Sequence, residues 1–387
     1  MNSELDADLA PANAVSVALR SDRPKQSGIR LISGSKATFE SWERAFREAK
    51  HEILCEMYWF EDDALGAPFI ELLCARAKEG VQVRLIYDSF GSANAGRHAF
   101  RPIVEAGGEV REFHSIYPWR RGFSFRGIAQ RDHRKLVVVD GMVGFVGGVN
   151  LTNIAAPREW GGEDWLDYAA MVTGRAAHDL KVLFYMTWEH LNPKRARPLP
   201  GMEKKKEVAM DVMSGVTVRA SHAIRRTYLD RIRKARSHIL IANAYFIPDP
   251  SVRRALRKAA RRGVDVRILV PEHSDVPHAA FASKGTYQGL MDAGVHVHHW
   301  VRNFLHSKVA VIDRWGTVGS YNLDYQSWRF NLEVNVMSND DPFVDELERR
   351  MRSDLALSKE IDPAVWKKRP VFEKVLEWFF YQFRKFM

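Results

Sequence analysis

A chain of 387 residues exceeds one ordinary hydrophobic core and suits two domains of typical size, and 46% hydrophobic with 27% charged residues excludes a disordered or fibrous polymer. Its 58 basic and 48 acidic residues leave a formal charge of +10, which favours polyanionic partners, whether nucleic acid, an anionic lipid surface or a phosphate-bearing substrate. Two cysteines, Cys55 and Cys74, exclude a disulfide framework and fit a reducing compartment, and no run of roughly twenty apolar residues is present to span a bilayer, so any membrane contact is expected to be peripheral.

Residues 1–28 start acidic, develop no apolar signal-peptide core and read as a flexible tail. A first lobe is expected over 29–190. It opens with the buried strand HEILCEMYWF (51–60), a helix at 67–79 stopped by Gly80, the strand VQVRLIYD, a second helix ending at Ala106-Gly107, and the strand EVREFH. The segment 116–132 then interleaves Tyr117, Trp119, Phe123 and Phe125 with Arg120, Arg121 and Arg126. That mixture suits a lipid headgroup zone, single-stranded nucleic acid or a packed loop. The run HRKLVVVDGMVGFVGGVN (133–150) follows, and LNPKRARPLPGMEKKKE, with three prolines and six basic residues, marks a linker over 191–210.

The second lobe, 211–360, repeats this order: SHILIANAYF (237–246), a helix at 251–262 stopped by Gly263, VDVRILVP, a helix ending at Ala293-Gly294, VHVHHW, and HSKVAVIDRWGTVGSYN (306–322). Alternating strands and helices predict an α/β fold of two lobes related by a pseudo-twofold axis, each a mixed, mostly parallel sheet flanked by helices, with the active site between them. The tail 361–387 places Phe372, Val375, Leu376, Phe379, Phe383 and Phe386 on one helical face, with Trp378 and with Lys374, Arg384 and Lys385 nearby. This face either lies on a bilayer or docks back onto a lobe.

The chemistry is expected in the repeated motifs. His133, Lys135 and Asp140 recur as His306, Lys308 and Asp313 at a constant offset of 173, followed by Asn150 and Asn322. A coincidental repeat of core histidines would not also reproduce both lysines and both asparagines. Residues two apart on a strand share a face, so each histidine and lysine point together, while Asp140 and Asp313, an odd step away, turn aside into structural roles. Lysine beside histidine, without carboxylates on that face, does not make a zinc or two-metal site, and no metal or other cofactor is expected. His296, His298 and His299 have alternate spacing but lack a nearby carboxylate or thiol in the sequence. Two imidazoles and two ammonium groups suit a phosphodiester: one imidazole attacks phosphorus, the other protonates the leaving oxygen, and lysines and asparagines hold the nonbridging oxygens.

HRKLVVVD with GGVN and HSKVAVID with GSYN resemble the paired HKD motifs of the phospholipase D superfamily, over about residues 29–350. YWFEDD (58–63), ANAYF (242–246), RKAARRGV (257–264), TVGSYNLD (317–324) and NLEVNV (331–336) further resemble bacterial cardiolipin synthases of the B type. The resemblance implies a covalent phosphatidyl-histidine on His133, with His306 as general acid and then base. It also implies that Glu333 orients His133 and that Asp167, in DWLDYAAM, orients His306. The implied activity joins two phosphatidylglycerol molecules into cardiolipin and releases glycerol, with a phospholipase D-type hydrolase or a metal-independent nuclease as alternatives. The expected partners are a phospholipid and an anionic membrane surface at the cytoplasmic face, touched through Trp119, Arg120, Arg121, Phe123, Trp378, Phe379 and Phe383. Nucleic acid and an obligate protein partner are not expected. Two departures stand out: Gly148 replaces the second motif's Ser320, and the His-to-Asn spacing is 17 in the first motif against 16 in the second.

Overall fold

The computed structural model describes residues 27–96, 98–119, 129–191, 210–214 and 218–384, with the backbone alone at 210–214 and 218–221. The tail through residue 26, the linker at 192–209, the stretch from Arg120 to Ile128 that includes Arg121 and Phe123, and Lys385 and Phe386 lie outside the described residues.

The first lobe runs β1 (Ile29–Ser33), α1 (Ser35–Glu48), β2 (Glu52–Met57), α2 (Gly66–Lys78), β3 (Gln82–Asp88), α3 (Arg101–Glu105), β4 (Glu109–Phe113), β5 (Lys135–Val139), β6 (Val143–Gly147), β7 (Tyr168–Thr173) and α4 (Arg175–His190). Helix α1 buries Thr38, Phe39, Trp42 and Phe46, spaced to lie on one face, against Ile53, Cys55 and Val137 of the sheet. Gly80, at φ +91°, supplies the left-handed residue that ends α2 and redirects the chain into β3.

The second lobe runs β8 (Met210–Ser214), α5 (Val218–Lys234), β9 (His238–Asn243), α6 (Pro250–Arg261), β10 (Asp265–Pro271), α7 (Pro277–Met291), β11 (His296–Trp300), β12 (Lys308–Ile312), β13 (Trp315–Gly319), α8 (Tyr325–Arg329), β14 (Val334–Ser338), α9 (Asp341–Ala356), β15 (Lys359–Glu360), α10 (Pro363–Lys367) and α11 (Val371–Gln382). Asp249 caps α6 by accepting from Ser251 N at 2.7 Å, with Pro250 in the first turn, where a missing N–H costs nothing.

The sheet orders are β1-β7-β6-β5-β2-β3-β4 and β15-β11-β10-β9-β12-β13-β14-β8, so the second sheet repeats the first and adds β15 at its edge. Both sheets are mixed and flanked by helices. Parallel pairing is confined to β2-β3-β4 and β9-β10-β11; the remaining pairings are antiparallel, so the sheets are mixed as expected but not mostly parallel, because the motif strands enter as tight hairpins rather than through helical crossovers.

The lobes share apolar cores. Leu332, Val334 and Val336 of the second lobe pack with Leu136, Val146 and the inner face of α4, while Tyr168 and Ala170 of the first pack with Leu240, Val309, Val318 and α9. Burial of this kind contributes about 1.5–3 kcal/mol per large apolar side chain, which holds the two halves in one register. Beyond the second lobe, α11 lies along α7 through Phe380 and Tyr381 and leaves Phe372, Val375, Trp378, Phe379 and Phe383 exposed. The face that the sequence reading set either on a bilayer or against a lobe thus stays uncovered at Phe372, Val375, Phe379 and Phe383, and another side of the helix docks. No helix among the described residues is long and apolar enough to cross a membrane.

Candidate active site

Each motif histidine sits just ahead of its strand, in an extended lead-in that pairs with the opposite lobe. His133 N donates to Leu332 O at 3.0 Å and Leu332 N to Arg131 O at 2.9 Å; His306 N donates to Leu166 O at 3.0 Å and Leu166 N to Phe304 O at 2.9 Å. Because Leu332 and Leu166 immediately precede Glu333 and Asp167, these backbone bonds deliver each carboxylate to the other lobe's histidine. Within each sheet, Lys135 stands opposite Met57 and Lys308 opposite Asn243, at the C-terminal ends of β2 and β9.

The side chains follow the same crossing. His133 Nδ1 donates to Glu333 at 3.1 Å and faces Ser320 O at 3.2 Å, and His306 Nδ1 donates to Asp167 Oδ2 at 2.8 Å. With Nδ1 engaged, Nε2 is left as the chemically available nitrogen of each ring. Lys135 Nζ donates to His133 O at 2.8 Å, and Lys308 Nζ donates to His306 O. Asn150 and Asn322 are buried, and their amide oxygens have no partner among the described residues, which leaves polar capacity for a group from outside. Sequence reasoning missed Tyr58, whose ring lies edge-on 4.8 Å from His133 and under Lys135 Nζ at 4.7 Å, and Trp165, 5.1 Å from the His306 ring. Their signal was present in YWF and DWL, but an aromatic beside a strand end reads equally as core.

Burial dominates the electrostatics. It drives Lys135 down to about 7, aided by the charge of Lys308, and Lys308 down to about 8 against the pull of Asp167 and Glu333. It lowers His133, with Lys135 adding to the effect and Glu333 opposing it, and lowers His306 further, with Lys308 and Lys135 adding. Asp167 is pushed up to about 7 by burial, opposed chiefly by Lys308. Because the charges of Lys135 and Lys308 add to this lowering, an anion bound between them would act in the opposite direction on both imidazoles.

Asp140 and Asp313 turn away from this cluster. Each strand ends one residue earlier, and both aspartates adopt left-handed backbone, φ +53° and +49°, in the hairpin. Asp140 accepts from Lys50, His51 and Glu52 N at 2.7–2.9 Å, and Asp313 from Arg236, Ser237 and His238 N at 2.9–3.1 Å. Burial would raise both carboxyls, but these backbone donors hold them below the ordinary range. They tie the hairpin to the start of β2 or β9.

The departure at Gly148 has a steric reason. A Cβ there would lie 2.4 Å from both Asp167 carboxylate oxygens. At the equivalent place the Ser320 hydroxyl donates to Glu333, which reaches its histidine with one more methylene. Gly148→Ala is therefore expected to push Asp167 off His306 and lower kcat/KM by roughly 10²-fold, the scale of a misplacement of about 1 Å. Ser320→Gly, which removes the hydroxyl's bonds to Glu333 and from Val334 N but adds no clash, should cost less; steady-state kinetics of the two variants check the order.

Trp119 is exposed on the first lobe beside Tyr117, at the edge of a cavity of about 490 Å³ that contains none of the paired motif residues. Glu360, brought in by β15, lies 2.7 Å from His296 and 3.9 Å from His298, a carboxylate the sequence reading did not place there. Among the described residues no group of three or more His, Cys, Asp or Glu side chains is placed to hold a metal ion.

A family model described as cardiolipin synthase, PLD-like domain, matches residues 43–163 and 228–355, one segment in each half. The chain is 31% identical over 360 residues to the probable cardiolipin synthase YwiE of Bacillus subtilis, spanning 92% of this chain and 71% of that protein. It is 34% identical over 361 residues to a cardiolipin synthase of Halalkalibacterium halodurans, spanning 90% and 70%. Among solved structures, phosphatidylserine synthase from Haemophilus influenzae superposes with a TM-score of 0.71 at 12% identity over 93% of this chain and 95% of that one. Polyphosphate kinase from Porphyromonas gingivalis gives 0.56 at 15% identity over 85% and 50%.

Proposed function

From the chain's membership of the cardiolipin synthase family of the phospholipase D superfamily, which are phosphatidyltransferases, we propose that it makes cardiolipin from two molecules of phosphatidylglycerol. The observation that carries this reading is the crossed pair of carboxylate–histidine contacts, one from each lobe, with a lysine beside each histidine.

His133 Nε2 attacks the phosphorus of the first lipid, the bond to the glycerol headgroup oxygen breaks, and His306 gives that oxygen its proton, releasing glycerol. A headgroup hydroxyl of the second lipid then loses its proton to His306 and attacks the phosphatidyl-histidine, and the P–N bond breaks to restore His133. Glu333 and Asp167 hold Nδ1 of each ring and stabilise its charged form. Lys135 and Lys308, with Asn150 and Asn322, meet the nonbridging oxygens as charge builds there. The choice of His133 as nucleophile follows the phospholipase D pattern, in which the first motif attacks. The enzyme works peripherally at the cytoplasmic face of the membrane, where its substrate lies.

Purified protein incubated in chelator with labelled phosphatidylglycerol vesicles is expected to yield cardiolipin and glycerol in equal amounts. Phosphatidic acid as sole lipid product would replace the transferase with a hydrolase. Cleavage of single-stranded nucleic acid with no lipid turnover would replace both with a nuclease.

A further inference from the structure

The paired lysines lie at the C-terminal ends of β2 and β9, and the parallel neighbours β3 and β10 finish at that same end of the sheets. At the last residue of β3, Asp88 accepts from Asp132 N at 2.8 Å, next to His133, and two residues further Phe90 is 58% exposed. Trp119, 78% exposed, follows β4 on the same lobe. Past β10, Asp275 accepts from Tyr245 at 2.8 Å and its charge acts on Lys308, so this loop borders the site from the second lobe.

That loop leads into α7, which carries α11. Phe380 and Tyr381 pack with Tyr245, Val276 and Ala282, and the Phe380 ring stacks 5.6 Å from Phe281. Gly285 permits the approach, since a Cβ there would lie 3.0 Å from Glu377 O, and the buried Glu377 carboxylate meets Arg369 at 2.6 Å. The helix is thus fixed beside the site with Trp378 64% and Phe379 47% exposed on its outer face. Lys367, Lys368 and Lys374 are exposed around it.

We propose that these two aromatic rims, Phe90 and Trp119 on the first lobe and the outer face of α11 on the second, dock into the surface of an anionic phospholipid bilayer and hold the mouth of the site against it. A helix apolar on both faces with only one face covered requires a second apolar partner. Aromatic rings flanked by lysines match the chemistry of the interfacial zone of an anionic membrane, and the formal charge of +10 matches its sign. The proposal also rests on the phospholipid substrate proposed above: a lipid held in a bilayer presents its phosphate only at the surface, so the site must face that surface.

The test compares wild type with Phe90→Ser/Trp119→Ser and Trp378→Ser/Phe379→Ser in co-sedimentation with mixed phosphatidylglycerol and phosphatidylcholine vesicles, alongside turnover of monomeric short-chain phosphatidylglycerol. Each double variant is expected to bind vesicles about tenfold more weakly, and wild type to lose binding as salt rises, while both variants turn over the monomeric substrate at the wild-type rate. Wild-type vesicle binding by both variants overturns the proposal. So does a vesicle-free dimer in wild type that the α11 variant dissolves, since that face would then belong to a second copy. A wild-type protein that binds vesicles in this pattern but turns over no lipid counts against the substrate reading and leaves the docking surface standing.

Discussion

His306→Ala, given a phosphatidyl ester of p-nitrophenol, is expected to release one equivalent of nitrophenol per active site in a burst and then stall, with the phosphatidyl label retained on the protein. The leaving group needs no proton, so the first step proceeds through His133, whereas the second needs a base that the variant lacks. Steady turnover should fall by about 10⁴-fold or more, as when one member of a concerted catalytic set is removed. His133→Ala should give neither burst nor label. A burst in His133→Ala and none in His306→Ala would assign the attack to His306, which the near-symmetry of the two halves permits chemically.

Lys135→Met is expected to abolish turnover and to stabilise the fold. A lysine driven from 10.5 to about 7 by burial binds its proton less readily in the folded chain than in the unfolded one. Its stabilising contribution is therefore complete only above pH 10.5 and is lost as pH falls through about 7. At 1.36 kcal/mol per unit, the cost at low pH is on the order of 3–5 kcal/mol, less about 1 kcal/mol for the hydrogen bond to His133 O that the methionine forgoes. Thermal melts should show the variant's advantage largest near pH 6 and shrinking towards pH 10. In wild type, the same depression should make kcat/KM fall as pH rises from 7 to 9, as Lys135 and then Lys308 lose the charges that meet the phosphate. A variant less stable than wild type at pH 6 would sink this account of the buried lysines.

Cold, buried charge of this kind explains why the motifs could be read from the chain at all. A lysine at zero exposure beside a histidine has no packing reason to recur, so its repetition in HRK and HSK points to chemistry. The strands were equally legible, since HEILCEM and HILIAN are short, largely apolar runs and read as buried strands. Helix ends at Gly80 and Gly263 were legible because positive φ is a local demand, answered by a local residue.

What lay beyond the sequence depends on contacts between distant segments. The resemblance paired Glu333 with His133 and Asp167 with His306, but the means of the pairing, the backbone bonds of Leu332 and Leu166 across the lobes, join residues about 140 to 200 positions apart and leave no periodic mark. Gly148 looked like a defect in the first motif until Asp167 was seen to occupy the space a side chain would fill. The balance of antiparallel pairings, the approach of Glu360 to His296, and the choice of which face of α11 would dock were likewise settled by packing. Composition, strand and helix character, turn residues and the doubled motif are properties of short windows, and the sequence by itself determined them. Which carboxylate meets which imidazole, and which apolar face is left uncovered, are properties of surfaces brought together from opposite ends of the chain, and only the tertiary structure decided them.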